Sequence, residues 1–379
     1  MQEATTYDTA IVGGGLAGLA LSIQLARQGY KVILFEKESY PFHKVCGEYI
    51  SMESWPFLQS LGVPLDELNL PHINKLIVSA PNGHLLKQEL PLGGFGISRY
   101  KLDAILKDLA VAASVQIMEK CKVTDVVFKD ELFTIQTNSG KFYSKVCCGS
   151  YGKKSNLDVK WKRSFTTLGS RKLNQYTGVK YHIETNFATD SIALHNFKNG
   201  YCGISKIEDN RYCLCYLTHT DNLKNNDQSI EKMEETVLAK NPHLKQIFEE
   251  SKHLYPTPVS ISQISFLPKL QVENHLLMLG DAAGLITPLC GNGMSIALHS
   301  SKIVAPLITQ FLADQKTRQQ LEDTYTKEWR HQFATRLRYG RIIQYFFGND
   351  LVTNWFILLL KNLPGVSRWL IKQTHGKPF

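Results

Sequence analysis

A glycine loop close to the start of the chain constrains its fold more than any other feature. Gly13-Gly14-Gly15-Leu16-Ala17-Gly18 follows the apolar run Asp8-Thr9-Ala10-Ile11-Val12. Small and apolar residues then fill positions 16–28, and Gly29 ends them. That pattern reads as a buried strand, a tight turn and a helix. Lys31-Val32-Ile33-Leu34-Phe35-Glu36 reads as a second buried strand of the parallel type. Each glycine has its own task. Gly13 makes the turn, Gly15 removes a Cβ where backbone approaches a pyrophosphate, and Gly18 lets the helix pack on the strand. The helix start at Leu16 and Ala17 offers free N–H groups to phosphate. Glu36, with Lys37 beside it, closes the second strand at the place where a carboxylate accepts hydrogen bonds from ribose hydroxyls. This block predicts dinucleotide binding and leaves FAD and NAD both open.

The middle of the chain changes character. Residues 74–80, 132–137, 178–183, 191–197, 200–206 and 212–218 read as strands. Several alternate apolar with polar positions, and Asn82-Gly83, Asn199-Gly200 and Asp209-Asn210 supply turns. Residues 222–252 are polar and helix-like, His275-Leu276-Leu277-Met278-Leu279 is again a strand, and the chain is helical from about residue 303. The expected fold is α/β (α+β): a Rossmann-type cofactor domain, a mostly antiparallel substrate domain and a C-terminal helical segment. Cofactor-binding parts are expected at 1–72, 98–160 and 271–310, substrate-domain strands at 73–97 and 161–270, and the helical region at 311–379.

Composition sets outer limits. With 43% hydrophobic and 20% charged residues over 379, a large core is available. The net charge of +9 is uneven: residues 316–379 hold 11 Lys/Arg against 4 Asp/Glu. In that stretch Tyr345, Phe346, Phe347, Trp355 and Trp369 alternate with Arg338, Arg341, Lys361, Arg368 and Lys372. Such a segment suits packing on the cofactor domain, contact with a membrane surface, or an acidic carrier protein bringing a lipid-like substrate. No helix-turn-helix, zinc-finger or RNA-binding signature is present, so nucleic acid is not an expected partner. The eight cysteines form no C-x-x-C pair, no metal pattern emerges, and no signal peptide is evident. A cytoplasmic location is expected, with peripheral membrane contact as its variant.

Further blocks decide the cofactor. Gly280-Asp281-Ala282-Ala283-Gly284 follows a strand, and Pro288-Leu289-Cys290-Gly291-Asn292-Gly293-Met294 leads into a helix. Ser98-Arg99-Tyr100-Lys101-Leu102-Asp103, with Leu106, fits R-x-x-L-D-x-x-L. Together these resemble the para-hydroxybenzoate hydroxylase-like FAD superfamily. His43-Lys44-Val45-Cys46-Gly47-Glu48 resembles the K-x-C-G segment of its geranylgeranyl-reductase-like branch. The resemblance implies FAD. It implies that Asp281 meets the ribityl chain and that Pro288, Gly291, Asn292, Gly293 and Met294 face the pyrimidine edge of the flavin. It likewise implies that Arg99 lies near the pyrophosphate and that Lys44, Cys46 and Gly47 lie along the cofactor. The flavin is the reactive group, with Lys44, Cys46 and Cys290 as candidate catalytic side chains. Cys147-Cys148-Gly149-Ser150-Tyr151-Gly152-Lys153-Lys154-Ser155 stands where relatives carry G-A-D-G-x-x-S. Gly149, Gly152 and Ser155 fit, whereas Tyr151 replaces the aspartate that serves NAD(P)H.

The activity implied is an NAD(P)H-dependent monooxygenase that hydroxylates an apolar or aromatic small molecule through a flavin hydroperoxide. The alternatives are an alkene reductase of the geranylgeranyl type, a non-catalytic prenyl-binding escort and a quinone-linked dehydrogenase. Trp55 stands without the W-x-W-x-I-P motif of tryptophan halogenases. Gly200-Tyr201-Cys202-Gly203-Ile204-Ser205-Lys206 replaces the prenyl-substrate motif of the reductases.

Overall fold

The strand that leads into the glycine loop lies at the centre of a sheet. In this computed structural model, which describes residues 5–167, 176–287, 291–347, 349–374 and 376–379, Thr6–Val12 pairs in parallel with Val32–Phe35 on one side and Gly140–Gly149 on the other. Gln116–Met118 adds in parallel beyond Val32–Phe35, and Leu276–Met278 beyond Gly140–Gly149. A parallel sheet buries both faces. Ala10, Ile11, Ile33, Leu34, Cys147 and Cys148 are accordingly shut off from solvent. The hairpin Val123–Lys129 and Leu132–Thr137 extends antiparallel from Gly140–Gly149.

A second sheet carries the rest of the expected strands. Its order runs Lys252–His253, Tyr176–Glu184, Tyr212–His219, Gly200–Lys206, Ser191–Phe197, His72–Ser79, Leu85–Gly96, Tyr49–Ser51, with Val259–Ile264 beside Tyr176–Glu184. The pairings are antiparallel except between Ser191–Phe197 and His72–Ser79. Tyr49–Ser51 therefore belongs to this sheet, although it comes from the stretch expected to serve the cofactor domain. The turns sit where Asn and Asp allow positive φ, as at Asn199, Asp209 and Asn210. The helix-like stretch resolves into Thr220–Lys224, Ile230–Thr236 and Pro242–Glu250, and Lys252 already belongs to a strand.

The C-terminal region is helical as expected. Gly293–Leu312 packs on Leu16–Ala26. The long helix Arg318–Phe346 buries Leu321, Tyr325, Trp329, Phe333 and Leu337, one every four residues, in the core of the first sheet. That spacing is the stripe of an amphipathic helix. Asp350–Asn362 lays Phe356, Ile357 and Leu360 against Val78, Leu86 and Leu194 of the second sheet.

One carboxyl links the second sheet to its helices. Glu234 accepts hydrogen bonds from Tyr181 (2.9 Å) and Tyr216 (2.7 Å). Burial lifts its carboxyl from 4.5 to about 7, against the lowering effect of the two tyrosines. The folded state thus prefers the neutral acid. Its stabilisation is complete below pH about 4.5 and is lost as pH rises through about 7. Urea unfolding at several pH values should show Glu234→Gln losing less stability than the parent over that window. Parallel curves would contradict the assignment.

Candidate functional site

The glycines of the loop differ in what surrounds them. Gly13 has φ +106°, and a Cβ there would lie 2.6 Å from the Tyr151 Cα. At Gly18 a Cβ would lie 2.2 Å from the Gly13 carbonyl oxygen. Both positions are closed by protein. Gly15 is open: a Cβ there would meet nothing nearer than Arg99 Nη2 at 3.6 Å and Ser150 O at 3.9 Å. Gly15 also caps the helix Leu16–Ala26 without a side-chain bond. The open backbone and the helix dipole make an anion cradle there. Glu36 stands at its edge, with Oε2 accepting the Gly14 N–H at 3.0 Å. Tyr40, which the sequence reading did not single out, donates its hydroxyl to Gly14 O at 2.5 Å. Lys37 is exposed and pairs with Glu38 at 3.7 Å, so it is not brought into the cradle.

Two cations stand over this cradle. Ser98 caps the helix Arg99–Ala112. Arg99 reaches back to Asp103, with Nε to Oδ1 and Nη2 to Oδ2 each at 2.8 Å. Lys44 lies 3.0 Å from the same carboxylate and 3.5 Å from Gly14 O. Burial pushes the Asp103 carboxyl up, but Arg99 and Lys44 outweigh it and hold the group below its ordinary value. The carboxylate is therefore charged and fixes both cations beside the loop.

The next segment joins the two sheets. Gly47 is open, with nothing within 4 Å of a Cβ built on it. Its carbonyl accepts from Ser205 Oγ at 3.4 Å, and the Cys46 carbonyl accepts from Cys213 Sγ at 3.2 Å. Cys46 itself is a free, half-buried thiol. Glu48 is fully buried and receives Lys180 Nζ and His182 Nε2 at 2.5 Å each and the Arg99 N–H at 2.8 Å. Burial pushes the Glu48 carboxyl up, yet Lys180 and His182 together bring it below the usual carboxylate range. Glu48, His182 and Cys213 place ligand-type atoms within 4.8 Å of one another, but the Lys180 ammonium already supplies the cation there.

The second fingerprint lies alongside. Gly280 has φ +53°, and a Cβ on it would come 3.6 Å from the Ala17 Cβ, so this turn abuts the cradle helix. Asp281 is half-buried, and its carbonyl accepts from Lys269 Nζ at 2.8 Å. Arg163 is buried and pairs with Asp158 at 2.9 Å. It also donates to Ala282 O at 3.2 Å and Leu270 O at 3.0 Å, which holds the turn in place. Tyr151, in the position of the missing aspartate, donates to Asp158 Oδ1 at 2.9 Å and so joins this network. Lys153 donates to Val45 O at 3.1 Å, and Lys154 bonds Gln263. Gly291 has φ +64° and lies under the Tyr49 ring. Gly293 begins its helix with only Ile286 within 4 Å of a built Cβ. Asn292 and Met294 are buried. Pro288 and Cys290 lie outside the described residues.

Beside Tyr49 and Gly291 opens a cleft with an internal volume of about 110 Å³. Leu76, Val78 and Leu194 of the second sheet form one wall, and Phe356, Leu360 and Leu370 of the C-terminal helices form the other. Tyr49 is buried, and its hydroxyl has no hydrogen-bond partner among the described residues. Burial raises its phenol above the ordinary value, so the group stays a donor.

These residues fit FAD: an anion cradle at Gly15, a carboxylate at Glu36, fixed cations at Arg99 and Lys44, and open backbone at Gly47 and Gly293. When bound, FAD supplies electron transfer. Comparison with known proteins agrees. Residues 11–45 match the NAD(P)-binding Rossmann-like domain family, and residues 203–337 match the squalene epoxidase family. A digeranylgeranylglycerophospholipid reductase of Methanococcus vannielii is 24% identical over 91% of this chain and 89% of its own length. The chain is a flavin-dependent oxidoreductase. Conditioned medium factor receptor 1 of Dictyostelium discoideum is 26% identical over 88% of this oxidoreductase and 69% of its own length. The solved structure of the flavin-dependent brominase Bmp2 superposes with TM-score 0.78 at 19% identity, covering 98% of the chain and 93% of the brominase. That likeness concerns the fold.

Gly15→Val should abolish FAD retention while leaving the circular dichroism spectrum unchanged, because the new side chain fills the cradle and its Cβ makes only ordinary contacts with protein. A flavin content equal to that of the parent would refute the cradle.

Proposed function

We propose that this oxidoreductase is a monooxygenase that uses FAD, NAD(P)H and molecular oxygen on an apolar, chain-like substrate held in the cleft. One atom of oxygen goes to the substrate, the other leaves as water, and NAD(P)H supplies the two electrons. The cleft carries the reading. Its walls are mostly aliphatic and aromatic and suit an extended hydrocarbon. Each methylene buried there contributes about 0.8 kcal/mol. The Tyr49 hydroxyl is the donor that orients a single polar group of the substrate at the Gly291 end. The match to the squalene epoxidase family supports oxygen chemistry on such a substrate.

A second reading, reduction of a carbon–carbon double bond, is favoured by the archaeal reductase's similarity along 91% of the chain. Oxygen separates the two. Purified protein incubated with NADPH and an unsaturated isoprenoid or fatty chain should consume oxygen and NADPH in equal amounts with product. Product made in an anaerobic chamber would overturn the monooxygenase reading in favour of reduction. Tyr49→Phe should raise KM by about tenfold, the worth of one buried hydrogen bond, at unchanged FAD content. An unaltered KM would remove Tyr49 from substrate binding.

A further inference from the structure

We propose that the helices Asp350–Asn362 and Pro364–Thr374 seat the protein on an anionic lipid surface. The first helix is apolar on two opposite faces. Phe356, Ile357 and Leu360 are buried against the second sheet. On the other side Leu351, Trp355 and Leu358, spaced by four and three residues, are 80%, 60% and 48% exposed. A helix with two apolar faces has a partner for each. The turn and the second helix add Leu363, Val366 and Trp369, each more than 40% exposed. Exposed apolar area of this kind marks an interaction surface.

Charge selects the partner. Lys361, Arg368 and Lys372 are exposed on these helices, against the single acid Asp350. Indole rings flanked by lysine and arginine suit the boundary between acyl chains and anionic headgroups, where tryptophan sits at headgroup level and each cation gains about 1 kcal/mol. No described helix is long and apolar enough to cross a membrane, so the contact lies in the surface plane. The buried faces of these same helices line the cleft. A lipophilic substrate therefore leaves the bilayer beside the wall of its own binding site. The seating rests on the surface residues alone, and the cleft chemistry is tested separately.

Co-sedimentation of the full chain with vesicles tests this. The protein should pellet with vesicles of phosphatidylcholine and phosphatidylglycerol, pellet less with phosphatidylcholine alone, and be released by salt. Leu351→Glu combined with Trp355→Glu should abolish binding. Lys361→Glu and Arg368→Glu should each weaken it by about fivefold or more. All variants should keep the parent's circular dichroism and its turnover of detergent-dispersed substrate. Parent protein that stays in the supernatant with anionic vesicles would overturn the proposal. So would a stable dimer that Trp355→Glu splits and that binds no vesicle, since a second copy would then be what covers this face.

Discussion

The buried carboxylate of Glu48 ties the two sheets into one site. It leaves the cofactor-side loop at Gly47 and takes hydrogen bonds from Lys180 and His182 of the second sheet and from the backbone of Arg99. Removing a carboxylate from water costs several kcal/mol, and only close cationic and hydrogen-bonded partners offset that cost. The consequence is positional. Lys44, Cys46 and Gly47 are held between the glycine loop and the second sheet, and the strand Tyr49–Ser51 begins at the cleft. Asp103 does the same work one layer away by aiming Arg99 and Lys44 at the cradle.

The parts of the site that were legible in the sequence are local. A strand, a glycine turn, a helix start and a following carboxylate fit within residues 8–36, so their geometry follows from covalent neighbours and the helix dipole. Arg99 and Asp103 are one helical turn apart, and their pairing is of the same kind. The parts that were not legible join distant segments. Glu48 meets its partners 132 and 134 residues along the chain. Arg163 holds the backbone at Ala282, 119 residues away. Nothing in the spacing around Glu48 distinguishes a buried anchor from a surface acid. Tyr49 likewise carries no signal among its sequence neighbours and gains its place only when the C-terminal helices close the cleft beside it. Tyr151 shows the converse. Its departure from the family motif was plain, and the structure adds a use for it, a hydrogen bond within the Asp158–Arg163 network that steadies the Gly280 turn.

The C-terminal helices connect site and surroundings. One face completes the apolar cleft and the other carries tryptophan, leucine and basic side chains outward. The basic, aromatic composition of residues 316–379 is thus explained in part by burial, through Phe356 and Leu360, and in part by exposure, through Trp355 and Arg368.

The central claim is that the site is built for a dinucleotide flavin. Gly15, Glu36, Arg99 and Lys44 would hold the pyrophosphate and ribose of such a cofactor, and FMN, which has no pyrophosphate, would leave that cradle unused. Chromatography of the flavin released by denaturing freshly purified protein tests this most directly. The account predicts FAD at close to one per chain, whereas FMN in its place, or protein that neither carries nor takes up flavin, would contradict it.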